Sequence, residues 1–269
     1  MLLLMRRKLI KISLFLCAIS LWLPASSFAI FNGTPTGTSA PWLVNLDVPT
    51  NTVCTGTLVS PTRVLTAAHC VLDDRNRVIN GIKAGAGSDY LYNLIWQKLT
   101  KAQIVVHPGW KAASKGWLND LAILKLPKPF IYAPLPLGST LPSVNDRGGQ
   151  LYGWGATEKW ASPDHALTTP APVLSSSNCR NWLRKQKMEW KMSDTWLCAG
   201  DFAGNKVSKA HISCYGDSGG PLVLDGKLAG VLSWFYSDGK HYNASECVQG
   251  PMYYLRLTPL LKTWIQKQL

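Results

Sequence analysis

Beyond residue 29 this 269-residue sequence has no apolar run that approaches the roughly 20 residues of a membrane-spanning helix. The greater part of the chain is therefore expected to be soluble, with no membrane contact after processing. It has no Cys-x-x-Cys pair and no His-x-x-x-His pair. That removes the common spacings of zinc sites, and no metal or other cofactor is expected. Internal repeats, low-complexity tracts and long linkers are missing too, which argues against solenoids and disordered tails. Acids are scarce: 15 Asp and Glu stand against 28 Lys and Arg. The basic residues are scattered, apart from a modest group at Arg180, Arg184, Lys185, Lys187 and Lys191. No zinc-finger or aromatic–basic RNA pattern goes with them, so the charge reads as a solvated surface and not a nucleic-acid site.

The first 29 residues differ from the rest. Arg6, Arg7, Lys8 and Lys11 form a basic start, and Ile12–Leu23 is almost wholly apolar. Pro24 breaks this run, and Ser27 and Ala29 suit the −3 and −1 sites of signal peptidase. Residues 1–29 thus read as a secretory signal peptide cut near Ala29. Four of the 28 basic residues and none of the 15 acids fall there, which leaves a charge of +9 on residues 30–269. Cys54, Cys70, Cys179, Cys198, Cys214 and Cys247 remain, an even number that suits disulfides in an exported chain. Spacing alone does not choose among their pairings.

Short apolar runs recur between Gly, Pro, Asn and Asp: Trp42–Leu46, Thr57–Val59, Arg63–Thr66, Gln103–Val106, Leu121–Leu126, Gln150–Tyr152, Pro221–Leu224 and Leu228–Trp234. This rhythm predicts an all-β protein. At the C-terminus Thr258 suits an N-cap and Pro259 a first helical position. Leu257, Leu260, Leu261, Trp264 and Ile265 then recur at helical spacing, so an amphipathic helix should pack on the body. The Pro-rich stretch around 127–142 reads as a crossover between two halves.

Three stretches carry chemistry: Thr66-Ala67-Ala68-His69-Cys70, Leu118-Asn119-Asp120-Leu121-Ala122-Ile123-Leu124, and Cys214-Tyr215-Gly216-Asp217-Ser218-Gly219-Gly220-Pro221. Each alone has a structural reading as a strand end, a turn or a tight loop. Together they supply the parts of an acyl-transfer site. A serine hydroxyl becomes a useful nucleophile only when a base takes its proton during attack. Imidazole suits that task near neutral pH, and a carboxylate fixes its tautomer. Backbone N–H groups from an uncrowded loop then receive the oxyanion.

On "TAAHC", "NDLAILKL" and "GDSGGP" the chain resembles the trypsin/chymotrypsin family of serine peptidases. "YGWG" (152–155), "LCAGD" (197–201) and "VLSW" (231–234) extend the resemblance from Ile30 to the terminal helix. It implies two six-stranded antiparallel β-barrels with a C-terminal α-helix, forming one peptidase domain over residues 30–269. It implies His69 as general base, Asp120 as its orienting partner and Ser218 as nucleophile. The oxyanion hole falls to the N–H groups of Gly216 and Ser218. The implied disulfides are Cys54–Cys70, Cys179–Cys198 and Cys214–Cys247. The expected activity is that of an exported serine endopeptidase, secreted or periplasmic, acting as a monomer on polypeptides, with room for a protein inhibitor. The alternative is a weakly active or inactive binding protein on the same fold.

The resemblance also locates the pocket for the residue on the acyl side of the cut, built from Ile212, Ser213, Tyr215, Ser233, Trp234, Phe235 and Met252. Ile212 stands at its base where an acid would attract Arg or Lys, so tryptic cleavage is disfavoured. Phe235 and Met252 stand where small residues are usual. If both point inward, small aliphatic side chains are preferred; if Phe235 points outward, larger apolar ones fit. The stretch between Phe235 and Cys247 is long for the family and borders the cleft. The stretch matching the calcium loop of some relatives has no acid between Arg75 and Gly87, so no calcium is expected there. Finally, the family activates by freeing an N-terminal Ile or Val whose ammonium pairs with the Asp before the nucleophile. Here those residues are Ile30 and Asp217, and signal peptidase itself is expected to make the activating cut.

Overall fold

The computed structural model describes residues 30, 33–50, 52–112, 118–138, 148–156, 163–185, 195–200, 202–203, 206–207, 213–235 and 250–269. A two-residue strand, β1 (Thr34–Pro35), comes first. A seven-stranded antiparallel sheet follows: β2 (Leu43–Val48), β3 (Thr52–Ser60), β4 (Arg63–Thr66), β5 (Lys83–Ala86), β6 (Ile95–Lys98), β7 (Ile104–Val106) and β8 (Ala122–Lys125). Its order is β6-β5-β2-β3-β4-β8-β7. The two edge strands are halves of one segment, separated only by a 3₁₀ turn at Lys101–Gln103. One half pairs with β5 and the other with β8. The sheet therefore closes on itself as a barrel of six strands, with no free edge at this seam.

The second sheet uses the same device. It contains β9 (Gln150–Gly153), β10 (Leu167–Pro170), β11 (Val173–Leu174), β12 (Trp196–Ala199), β15 (Pro221–Leu224), β16 (Lys227–Phe235) and β17 (Met252–Arg256), with β1 on its rim. The short pair β13 (Phe202–Ala203) and β14 (Lys206–Val207) forms a separate ribbon. β10 and β11 are again one segment, interrupted at Ala171-Pro172, where proline lacks the N–H a ladder needs. β10 pairs with β9 and β11 with β12, which closes the second six-stranded barrel. Helix α1 (Ser176–Lys185) lies between β11 and β12, and the Cys179–Cys198 disulfide ties it to β12.

Each predicted run lies within or overlaps a strand. The runs do not reach β1, β5, β6, β10, β11, β12, β13, β14 or β17. β5 is Lys-Ala-Gly-Ala, with no large apolar residue, and β10 ends in proline. β12 and β17 are buried at every position, so they lack the alternation that marks a half-exposed strand.

The terminal helix α2 (Pro259–Gln266) forms as its caps require. Thr258 Oγ1 accepts from Leu261 N, Pro259 occupies the first turn, and Leu261 and Ile265 are buried. Trp264 meets His107 of the first barrel edge-on at 4.8 Å. Burial holds the His107 imidazole below the usual histidine range. Between the barrels, Leu135 N donates to Leu58 O and Gly138 N to Leu228 O. The chain near residues 135–138 thus bonds to the first barrel and then to the second.

Candidate active site

β4 and β8 run antiparallel with Thr66 opposite Ala122. The end of β4 and the start of β8 therefore meet at one rim. His69 follows β4 on a 3₁₀ turn (Ala68–Cys70), and Asp120 stands two residues before β8. That register brings together two residues 51 apart in sequence. Asp120 Oδ2 lies 2.7 Å from His69 Nδ1, and Asp120 Oδ1 accepts from His69 N at 3.0 Å. The Cys54–Cys70 disulfide pins the turn to β3.

Asp120 is fully buried, whereas the His69 side chain is about a quarter exposed. A buried carboxylate needs several donors. The third comes from the other barrel: Ser233 Oγ donates to Asp120 Oδ2 at 2.5 Å. An imidazole held through Nδ1 turns Nε2 away from the carboxylate, which is the tautomer a base for a hydroxyl requires.

Ser218 sits in the turn before β15. Thr55 N donates to Ser218 O at 2.8 Å, and Thr55 Oγ1 donates to Gly216 O at 3.0 Å. Gly219 N donates to Leu232 O, and Leu232 N to Gly220 O. The loop is thus fastened to β3 on one side and β16 on the other. The N–H groups of Asp217, Gly219 and Gly220 have backbone acceptors, but those of Gly216 and Ser218 have none among the described residues. Gly216 has φ of 103°, a left-handed conformation that a side chain would resist. Two idle donors on one tight loop can receive a developing oxyanion.

Asp217 points the other way, into the protein. Its Oδ1 accepts from Gly155 N and its Oδ2 from Cys214 N, both at 2.8 Å. Gly155 is in van der Waals range of this carboxyl, and any side chain there would collide with it. Burial pushes the Asp217 carboxyl up to about 7, and the two N–H donors only partly oppose this. Ile30 is completely buried, in the cluster that holds Leu151, Met252 and Tyr254. Its φ is 51°, which is strained for a β-branched residue. Ile30 follows Ala29 in peptide linkage, so its nitrogen carries no charge in this chain.

His69, Ser218, Gly216, Ser233, Trp234, Phe235 and Tyr215 all line one cleft of about 710 Å³. Phe235 is half-buried and meets Tyr215 edge-on at 5.1 Å. Met252 is fully buried, and its sulfur accepts from Ser213 N at 3.1 Å. Ser213 and Met252 do not reach the cleft lining among the described residues. Ile212 and the stretch between Phe235 and Cys247 lie outside the described residues. So does Cys247, although Cys214 is disulfide-bonded. Sequence reasoning placed Ser233 in the substrate pocket and missed its bond to Asp120. It missed the bridging role of Thr55 as well. No local pattern marks either residue, because each acts across the two barrels.

Two closed antiparallel barrels with a C-terminal helix are the architecture of the chymotrypsin fold. The Trypsin family signature matches residues 30–262. A trypsin of Saccharopolyspora erythraea is 33% identical over 184 residues, covering 67% of this chain and 74% of that protein. Human kallikrein-12 is 31% identical over 236 residues, covering 84% and 86% respectively. The structure of neuropsin, a serine protease of mouse brain, superimposes with a TM-score of 0.72 at 25% identity, over 89% of this chain and 99% of that one. The chain belongs to the trypsin family and is a serine endopeptidase acting on polypeptides. Members of the family are typically secreted, the disulfides fit an oxidising compartment, and no described helix is long and apolar enough to cross a membrane.

Proposed function

We propose that Ser218 Oγ attacks the scissile carbonyl while His69 Nε2 takes its proton. The oxyanion forms against the N–H groups of Gly216 and Ser218. His69 then gives the proton to the leaving amine, and a water activated by the same imidazole hydrolyses the acyl-enzyme. Asp120 holds the imidazole and stabilises its charged form. The observation that carries this reading is the position of Asp120, buried and bonded to His69 twice and to Ser233 once. Ser218→Ala should abolish both turnover and fluorophosphonate labelling. A mutant that still labels at the site refutes the assignment.

The substrate backbone is proposed to pair with Ser233–Phe235 as an added antiparallel strand. Phe235 packed against Tyr215, and Met252 beneath Ser213, favour a shallow acyl-side pocket that takes small aliphatic residues. A mixed peptide library reads this directly, and a dominant preference for Arg or Lys would contradict it.

Residues 1–29 are proposed to direct export, and removal of this leader to leave Ile30 as an ammonium that pairs with Asp217. Two observations support the coupling. The Asp217 carboxyl is buried among two amide donors, with a proton affinity far above that of an ordinary aspartate. Ile30 is held at a φ that depends on the preceding carbonyl, so cutting the Ala29–Ile30 bond removes that strain. N-terminal sequencing of the active protein should read Ile-Phe-Asn-Gly. Full activity with a residue still attached before Ile30 refutes the coupling.

A further inference from the structure

The two walls of the cleft are joined at more than one place. At their root, Gly219 N donates to Leu232 O and Leu232 N to Gly220 O, which fastens the Ser218 loop to β16. From that root the loop runs back to Tyr215, and β16 runs on to Ser233, Trp234 and Phe235, all four of which line the cleft. Met252 ties the walls from beneath. It stands opposite Phe235 in the ladder between β16 and β17, and its sulfur accepts from Ser213 N at the start of the loop. A hollow joined at its root and closed below needs an open mouth if a side chain is to enter. At that mouth the rings of Phe235 and Tyr215 meet edge-on, with centroids 5.1 Å apart and planes at 80°.

Three observations mark this contact as more than ordinary packing. First, Phe235 reaches across the cleft: its side chain packs against the cluster of Ala156 and Cys214, which belongs to the opposite wall. Second, the Tyr215 side chain stands 40% exposed over a backbone that is held, with Tyr215 O accepting from Ala156 N at 2.7 Å. Third, β16 is braced up to the residue before Phe235, because Trp234 stacks on Tyr253 at 3.7 Å with the planes 6° apart. Opening the mouth therefore needs two side chains to turn and no strand to move. What it costs is the ring contact. An edge-to-face pair is worth up to about a factor of ten in an equilibrium constant.

We propose that Tyr215 and Phe235 form a self-inhibitory latch over the acyl-side pocket. In the resting enzyme the ring contact bars the pocket to large side chains, and a substrate that carries one must part the rings to enter. A small aliphatic side chain fits above the closed latch and does not meet this cost. Tyr215 is then a specificity-determining residue that acts through a partner on the other wall. The inference rests on the acyl-side pocket proposed above, and adds that its width is set at the mouth as well as at the floor.

The test uses the mature enzyme and two peptides that differ only in the acyl-side residue, Ala or Phe. The Phe-to-Ala ratio of kcat/KM should rise about five- to tenfold in Tyr215→Ala. It should stay within about twofold in Tyr215→Phe, which keeps the ring. A thermal melt checks that both variants fold. An unchanged ratio in folded Tyr215→Ala overturns the latch. So does a Tyr215→Phe variant that behaves like Tyr215→Ala, because the hydroxyl and not the ring contact would then matter. A crystal structure of the unmodified enzyme, with a phosphonate bearing a benzyl acyl-side group on Ser218, reads the motion directly. The ring centroids should separate beyond about 7 Å. Rings still in contact would make the pair a fixed cap and refute the latch. The two readings fail separately. A dominant preference for Arg or Lys in the unmodified enzyme removes the pocket reading and the latch with it. An unchanged ratio in an enzyme that prefers small aliphatic residues removes the latch alone.

Discussion

The two barrels contribute to the site in different ways. In the first, His69 and Asp120 are placed by strand register and by the Cys54–Cys70 bridge. Their geometry follows from the ladder between β4 and β8. In the second, Ser218 and its neighbours ride on a glycine-rich loop fastened by β3, β16 and the buried Asp217 carboxyl. That carboxyl stays near neutrality in its proton affinity while Ile30 is still in peptide linkage. The first barrel's part is thus held by strand pairing, and the second's by a loop tied to one buried carboxyl.

The largest test of the contrast is Asp120→Asn. The register that holds His69 persists, but the amide favours the wrong tautomer. The expected loss in kcat is on the order of 10⁴-fold with little change in folding. Stopped-flow or steady-state kinetics on one peptide will read it.

Next comes the pH dependence of stability in the uncut and cut chains. The folded uncut chain holds the Asp217 carboxyl at about 7, above the value of 3.8 for an ordinary aspartate. The proton is bound more tightly in the folded state. The resulting stabilisation is complete below about pH 4 and is lost as pH rises through 7, by roughly 4 kcal/mol. In the chain that begins at Ile30, the ammonium partner should remove most of this slope. Thermal melts of the two chains from pH 4 to 8 will show it. Equal slopes would refute the proposed pairing of Ile30 with Asp217.

Removing disulfides probes the same contrast at a smaller scale. The Cys54–Cys70 and Cys179–Cys198 bridges close loops of similar separation, 16 and 19 residues. Replacing either with alanines should cost about 2–4 kcal/mol in denaturant titrations. Only loss of Cys54–Cys70 should also lower kcat, because that bridge anchors the turn carrying His69.

Met252→Gly tests the second barrel's pocket. It removes the sulfur beneath Ser213 and opens space. Cleavage after Phe or Leu should rise about tenfold relative to cleavage after Ala. The smallest expected effect is Thr258→Ala at the cap of α2, about 1 kcal/mol by thermal unfolding, with activity retained.

Much of this was legible in the sequence, for identifiable reasons. His69, Asp120 and Ser218 lie in short motifs whose chemistry is specific, and the alternation of apolar runs with turn residues marked eight of the seventeen described strands. Thr258 and Pro259 announced α2 because capping is local. β12 and β17 were not legible, since strands buried on both faces lose the two-residue rhythm. The split of the barrel-closing strands at 101–103 and 171–172 was hidden too, because closure depends on which distant strand each half meets.

The sequence by itself determined the parts: a basic and then apolar leading segment, a set of cysteines, three chemical motifs and a family of folds. These are carried by residue type and short spacing. Only the tertiary structure decided how the parts act on one another. It brought Ser233 across from the second barrel to a buried carboxyl of the first, and set Thr55 between the barrels as the brace of the Ser218 loop. It also shut Met252 beneath Ser213. Each of these depends on burial and on hydrogen bonds between residues far apart in the chain. Those contacts exist only once both barrels have closed.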